Sequence, residues 1–446
     1  MNRRTEEMIV MKFGGTSMGS PERINDVATI VSGKSENAIV VVSAMAGTTN
    51  KLIDIARLLQ QQQHDEAQQC IASLRQTYCD VNSALLHSAD ARTRMQERIE
   101  KLFHLLTDLC SEEFVGDYEA RQIVAIGEQL STKLLTERLA EMGHSVSEWN
   151  ALDFMRTDNM GAPDTDYLHQ VLSERIERDD LPQVVVTQGF ICMNAYGEVD
   201  NLQRGGSDYT ATLVSAAVNA SACEIWTDVS GVHTADPRHV TGTHTIDHLH
   251  YDEAIALAYY GAKVLHPVCV APCKQHHVPI RLLNTMAPND EGTRIDDRHD
   301  NRQMKAATTK DDIRLLTLRW HNNRCETARR EAWQQITQHV GQCLLLHATH
   351  TQLMLCLAQG GQADSLVAEL EKAGQVHLDD TRSLLTIVGD DMGKHTTAVT
   401  SAVLKALEGY TIDCICAGTT DNTLCLLTDR QQTHHILQQL NDTLLQ

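Results

Sequence analysis

The sequence predicts an α/β protein: a mainly parallel central sheet with helices on both faces, followed by two small α+β modules. The opening segment carries the first part of this reading. Residues 8–13 (MIVMKF) and 38–46 (AIVVVSAMA) are apolar strands ending in glycines, and residues 21–32 between them have helical periodicity, with Pro21 in the first turn. Further apolar strands follow at 184–186 and 224–226, and their near-continuous Val/Ile content suits a sheet covered on both faces. Residues 50–139 read as helical throughout, with the Gln60–Gln63 run as a solvated helix face rather than a low-complexity tract. A weak internal repeat carries the second part. Leu315-Leu316-Thr317-Leu318 recurs as Leu384-Leu385-Thr386-Ile387, each followed by a polar helix-length segment (324–339; 394–407), two short strands (342–347 with 352–357; 411–417 with 423–427) and a last helix. Residues 287–312 are polar and turn-rich and mark the expected boundary. The expected domains are 1–300, 313–378 and 379–446.

Composition narrows the function classes. The 446 residues are ordinary in apolar (42%) and charged (22%) content, which excludes wholesale disorder. A formal charge of -21 argues against nucleic acid or an anionic membrane as main partner, while leaving anionic small substrates open. Thirteen cysteines, an odd number without framework spacing, suit a reducing compartment. The N-terminal residues hold no signal-peptide pattern, and the longest apolar run, 38–47, is too short to span a bilayer. A cytoplasmic protein is expected.

Four glycine-bearing strand ends could carry chemistry: Lys12-Phe13-Gly14-Gly15-Thr16-Ser17; residues 43–50 (SAMAGTTN); Arg204-Gly205-Gly206-Ser207-Asp208 before a small-residue helix; and Thr227-Asp228-Val229-Ser230-Gly231. Glycines let backbone N–H groups converge and a helix N-terminus adds partial positive charge, both of which suit phosphate oxygens. Ligands of open parallel sheets collect at strand carboxyl ends, where all four loops would lie. Phosphoryl transfer needs this layout, because it asks mainly for positioning and for neutralisation of γ-phosphate charge.

The strings KFGGTS, VVVSAMAGTTN, GEQLS, RGGSDYTA, WTDVSGVHTADPR and YYGAKVLHP resemble the aspartate kinase family in order and spacing, and the C-terminal repeat looks like that family's paired ACT domains. The resemblance runs from about residue 8 to the end. It implies the amino-acid kinase fold, with ATP and Mg²⁺ as cofactors. It also implies transfer of the γ-phosphate to the β-carboxylate of L-aspartate, giving 4-phospho-L-aspartate at the entry to lysine, threonine and methionine synthesis. By the same resemblance Lys12 neutralises the transferring phosphoryl group and Asp208 completes the catalytic pocket. Ser43, Thr49, Glu128, Arg204 and Ser207 bind substrate, Glu128 meeting the ammonium and Arg204 clamping the α-carboxylate. Gly14, Gly15, Thr16, Thr227, Asp228, His233, Arg238 and Lys263 contact ATP. No metal-ligand set within the protein is expected. A homodimer through the ACT domains and an end-product effector, lysine or threonine, are implied as well.

The chain departs from the family pattern at several places. His233 stands where Tyr is usual, Gln203 and Cys192 replace glycines, and Asn150-Ala151-Leu152 replaces an Asp-x-Arg element. In the first ACT-like repeat, residues 321–325 (HNNRC) replace small residues, so that repeat is expected to be structural only. Other groupings read as decoys. These are Cys269, Cys273, His276 and His277 as zinc ligands; His244, His248 and His250 as another metal cluster; and the Walker-like Gly389–Thr396 (GDDMGKHT), which is one residue short and lacks Ser or Thr after its lysine. Cys414 and Cys416 read as one buried strand face. Two competing readings are a relative acting on glutamate, carbamate or a nucleotide, and a catalytically impaired ACT-domain amino-acid sensor.

Overall fold

The computed structural model describes residues 8–112, 114–177, 181–202, 205–262, 265–320, 326–338, 343–358, 361–418 and 420–446. Its contacts divide the chain into two compact units. The first comprises Met1–Val232, Thr245–Ala254 and Val264–Arg298, the second His233–His244, Ile255–Lys263 and His299–Gln446. No helix among the described residues is long and apolar enough to cross a membrane.

The first unit begins with β1 (Met8–Phe13), α1 (Pro21–Ser32), β2 (Asn37–Val42), α2 (Thr48–Gln60), α3 (His64–Leu85), α4 (Ala89–Leu109) and α5 (Asp117–Glu141). It continues through β3 (Val146–Trp149), α6 (Thr165–Ile176), β4 (Val184–Gln188), the hairpin β5 (Ile191–Met193) and β6 (Val199–Asn201), α7 (Gly206–Val218) and β7 (Ala222–Thr227). It closes with β8 (His248–His250), α8 (Tyr251–Tyr259, the second half counting with the other unit), α9 (Pro267–Gln275), β9 (Ile280–Asn284) and β10 (Thr293–Asp296). The eight-stranded sheet runs β3-β4-β2-β1-β7-β9-β10-β8. From β3 to β9 neighbours are parallel, and only β9–β10 is antiparallel, so the sheet is mainly parallel as the sequence predicts.

Strand alternation sets what each face receives. Ile9, Met11 and Phe13 of β1, with Val40 and Val42 of β2, enter one apolar core with α1–α5, leaving Val10 and Lys12 on the other face. There α7, built from small residues, lies against β1 and β7. Ser20 caps α1 by accepting from Arg23 N at 3.3 Å, with Pro21 at the first turn. The long helical stretch resolves into four helices, and the second strand stops at Val42, freeing residues 43–47 as a loop.

The second unit holds β11 (Ala306–Lys310), β12 (Ile313–Trp320), α10 (Glu326–Gln338), β13 (Cys343–Ala348), β14 (Gln352–Ala358), α11 (Gly361–Leu370), β15 (Gly374–Asp379), β16 (Arg382–Val388), α12 (Thr396–Ala406), β17 (Ile412–Ala417), β18 (Thr423–Asp429) and α13 (Arg430–Leu444). Its two four-stranded sheets have the same layout, β13-β14-β12-β15 and β17-β18-β16-β11. The repeat is therefore structural, but the second copy takes its fourth strand from upstream. β11 lies inside the stretch expected to be a linker, and it pairs with β16 from Ala306↔Val388 to Lys310↔Leu384. The first module is thus inserted in sequence between two strands of the second. Alternation places Cys414 and Cys416 on one half-buried face of β17, packed against Leu384, Cys425 and Leu427.

The decoy groupings separate. Cys269 and Cys273 are buried in α9, whereas His276 and His277 are exposed past its end. His248 pairs with Asp296 at 2.7 Å. The turn at Gly389 is occupied by its own chain: a Cβ there would collide with the Gln303 carbonyl, and Asp390 accepts from the backbone N–H groups of Asp300 (2.9 Å) and Asn301 (3.0 Å).

Leu426 is fully buried on β18, between β16 and β17. Leu426→Ala should cost about 2–5 kcal/mol, the range for a cavity left by a deleted core leucine. Urea denaturation followed by circular dichroism would measure it.

Candidate active site

Parallel pairing brings the carboxyl ends of β1, β2, β4 and β7 to one edge of the sheet. Lys12 lies on β1, level with Val41 of β2 and Ile225 of β7. Its ammonium meets Asp208, in the first turn of α7, at 2.5 Å, with side-chain exposures of 11% and 20%. Beside this pair Ser43 Oγ donates to Ser207 Oγ at 2.9 Å. The glycine loop after β1 is tied down from three sides. Gly14 N donates to Trp226 O (3.4 Å), Ala46 N to Gly15 O (3.1 Å), and the buried Ser17 and Thr285 hydroxyls share a bond of 2.7 Å. Together these loops enclose a cleft of about 350 Å³, lined in part by Gly15, Ser43, Thr49, Glu128, Phe190 and Ser207.

Glu128 is the unusual group in that wall. It lies in the middle of α5, buried, and Oε1 accepts from Ala44 N at 3.3 Å while Oε2 has no hydrogen-bond partner among the described residues. Burial pushes its carboxyl from the ordinary 4.5 up to about 7, against the lowering by its backbone and Ala44 N–H groups. An acid held this way is short of a cation.

Two close approaches make the cleft possible, and neither was singled out by sequence reasoning. A Cβ on Gly127 would stand 2.9 Å from Ala44 Cβ, so a glycine lets α5 reach the 43–47 loop. A Cβ on Gly189 would fall inside the Ser207 side chain. The next residue, Phe190, has φ +68, a left-handed conformation strained for a bulky side chain. Its N–H donates to Thr210 Oγ1 at 2.9 Å, which holds the aromatic wall in place. A phenylalanine gives no local sign that it takes this conformation.

The nucleotide-side candidates are more dispersed. Gly14 and Gly15 are half-buried at the loop and Thr16 is exposed. Thr227 Oγ1 accepts from Val229 N at 3.0 Å, and Asp228 is exposed. That loop is braced by Asn284, which donates to Ser230 Oγ at 2.9 Å, and by Asp290, which accepts from the same hydroxyl at 2.5 Å. His233 and Arg238 belong to the second unit. There the Arg238 guanidinium forks onto Asp236 (2.9 and 2.6 Å), and burial with the neighbouring His244 lowers the His233 pKa. Arg204, Gln203 and Lys263 lie outside the described residues. Among the departures, Cys192 is fully buried, with burial raising its thiol pKa, and Asn150 caps a short turn whose Ala151 N–H meets Gln188 Oε1 at 2.8 Å.

A buried cation beside a helix N-terminus, glycine loops at parallel strand ends and a buried acid with one oxygen unpartnered among the described residues thus come together at one sheet edge. The profile of the amino acid kinase family matches residues 7–284. The chain belongs to that family, and within it to the aspartokinases. It is 30% identical, over 99% of its own length and 100% of the relative's, to the lysine-sensitive aspartokinase 3 of Escherichia coli (strain K12). The crystal structure of E. coli aspartokinase III in complex with aspartate and ADP (R-state) is similar at a TM-score of 0.83, with 28% identity and 99% and 100% of the two chains covered. The lysine and aspartate complex (T-state) is similar at 0.78, with 29% identity and the same coverage.

The raised Glu128 pKa has a stability consequence. Between pH 4.5 and about 7 the folded chain holds a proton that the unfolded chain releases, so this residue favours folding at low pH and loses that contribution as pH rises. Glu128→Gln should therefore gain stability over the wild type at pH 8, on the order of 1–3 kcal/mol, and gain little at pH 4.5. Thermal melts at the two pH values would check it.

Proposed function

We propose that this aspartokinase binds Mg²⁺-ATP and L-aspartate in the cleft and transfers the γ-phosphoryl group to the substrate β-carboxylate, giving ADP and 4-phospho-L-aspartate. The single observation that carries this reading is the presence of two ionisable groups at one sheet edge, Lys12 paired with Asp208 and Glu128 in the wall of the adjoining cleft that Ser43 and Ser207 also line. Lys12 is a buried cation suited to phosphoryl oxygens, and Glu128 is a buried acid suited to an ammonium. The acceptor carboxylate is already ionised at pH 7, so no general base is needed. Lys12, released from Asp208 as the phosphates arrive, neutralises charge developing on the transferring group, with the Gly14 and Gly15 N–H groups as further donors. Ser43, Ser207 and Thr49 orient the substrate, and Arg204 holds its α-carboxylate. Thr16, Thr227, Asp228, His233, Arg238 and Lys263 serve the nucleotide. Mg²⁺ would be held by the ATP phosphates together with Asp208, whose carboxylate is the hard oxygen donor such an ion takes, and would supply charge neutralisation there.

In the same reading residues 1–300 are catalytic, 313–378 and 379–446 with the upstream strand β11 are regulatory ACT modules, and the modules pair two copies of the chain. Likeness along the whole chain to a lysine-sensitive relative makes lysine the favoured effector over threonine. It leaves untouched the expectation from residues 321–325 that the first module is structural only. Those residues, like 339–342, lie outside the described part.

The test is ADP release by the purified protein with Mg²⁺-ATP and L-aspartate, with L-glutamate as control, each repeated with lysine and then threonine. Aspartate-dependent turnover inhibited by lysine is expected. Amino-acid binding without turnover would instead support a sensor. Two further outcomes follow from the site. Arg204→Ala should chiefly raise the KM for aspartate. That KM should also fall in the wild type as pH rises from about 6 to 8, because only ionised Glu128 pairs with the substrate ammonium.

A further inference from the structure

The chain leaves the first unit after Val232 and returns to it at Thr245, and the segment between, which carries His233 and Arg238, is compact with the second unit. Its partners lie on α13, the last helix of the chain. Thr234 Oγ1, fully buried, donates to Asn441 Oδ1 at 2.7 Å, and Asn441 Nδ2 donates to the carbonyls of Thr241 (3.3 Å) and Gly242 (3.4 Å). One turn earlier on the same helix face, Gln438 engages the Thr241 backbone in both directions. Thr241 N donates to Oε1 at 2.9 Å, and Nε2 donates to Thr241 O at 3.0 Å. Ala307 N of β11 donates to Thr234 O at 2.8 Å, the His239 ring stacks on His434 at 4.4 Å, and Ala235 and Val240 are buried in a core shared with Ile436, Leu437 and Leu440.

Two features of this contact go beyond holding a loop in place. Both amide side chains bond to main-chain groups of Thr241 and Gly242 as well as to the Thr234 and Thr241 hydroxyls, so they fix the path of the backbone at several points. The cation of the segment is also bound inside it: Arg238 forks onto Asp236 two residues away, so guanidinium and backbone move as one piece. The contacts of Gln438 and Asn441 thus reach the stretch of backbone that carries Arg238.

We propose that Gln438 and Asn441 are positioning residues for nucleotide binding, setting the path of residues 233–244 and through it the presentation of His233 and Arg238 to ATP. The last helix of the regulatory region thereby tunes nucleotide affinity without touching the nucleotide. The inference rests on the reading of His233 and Arg238 as ATP contacts.

The experiment uses the full-length protein and steady-state kinetics with each substrate varied in turn. Gln438 is half-buried and Gln438→Ala should fold normally, whereas Asn441→Ala orphans the Thr234 hydroxyl and should melt at lower temperature. Both variants should raise the KM for ATP about three- to tenfold while the KM for aspartate stays within about twofold. Arg238→Ala should raise the ATP KM as well, and adding Gln438→Ala to it should change little further, because both act through one segment. If Arg238→Ala and His233→Ala leave the ATP KM unchanged, the nucleotide reading of the segment fails and the proposal with it. If they raise it while natively folded Gln438→Ala does not, or if Gln438→Ala raises both KM values alike, the positioning role is overturned and the contact is packing alone.

Discussion

The ion pair between Lys12 and Asp208 is the constraint around which the first unit is arranged. A lysine at the end of an interior strand is tolerable only with a counter-charge at hand, since an unpaired buried cation is strongly destabilising. Alternation along β1 sends Met11 and Phe13 into the apolar core and Lys12 to the opposite face, and the first turn of α7 delivers the carboxylate there at 2.5 Å. The rest follows from keeping that meeting point narrow yet open. Gly189 lets the end of β4 reach Ser207, Gly127 lets α5 reach the 43–47 loop, and Ser17 and Thr285 lock the glycine loop at its base. The site holds one charge already paired and one, on Glu128, kept near neutral by burial.

The second unit applies the same economy of fold to a different purpose. Two modules of identical strand order share a unit, and the first is spliced into the second between β11 and β16. The chain therefore passes through the second sheet before and after building the first. β11 also meets the 233–244 segment through Ala307 and Thr234. That segment, which carries His233 and Arg238, thus shares its core with the C-terminal helix.

Much of this was legible in the sequence where the determinants are local. The apolar runs of β1 and β2, the Pro21 helix start and the glycine loops announced the βαβ unit. The strings around Lys12, Ser43, Glu128, Ser207 and Asp208 marked side chains that the structure gathers around one cleft and its Lys12–Asp208 pair. What escaped depends on partners distant in sequence. β11 reads as linker because its short, Thr-rich run gains strand character only by pairing with β16. Phe190 takes its left-handed conformation because Thr210 and Gly189 hold it, and Thr285 matters only through Ser17. The docking of residues 233–244 on α13 joins positions about two hundred residues apart, which no periodicity reports. In the other direction, Cys269–His277 and Gly389–Thr396 looked chemical by spacing, but burial and backbone packing dispose of both.

The most direct test of this account is the turnover of Lys12→Ala, measured by ADP release with saturating Mg²⁺-ATP and aspartate beside a thermal melt of the same preparation. Removing a cation that acts on the transferring phosphoryl group should lower kcat by about two to three orders of magnitude, while a native-like melt shows that the core is kept. A natively folded Lys12→Ala with near-wild-type kcat would contradict it, because the charge placed at the centre of the site would then have no part in the reaction.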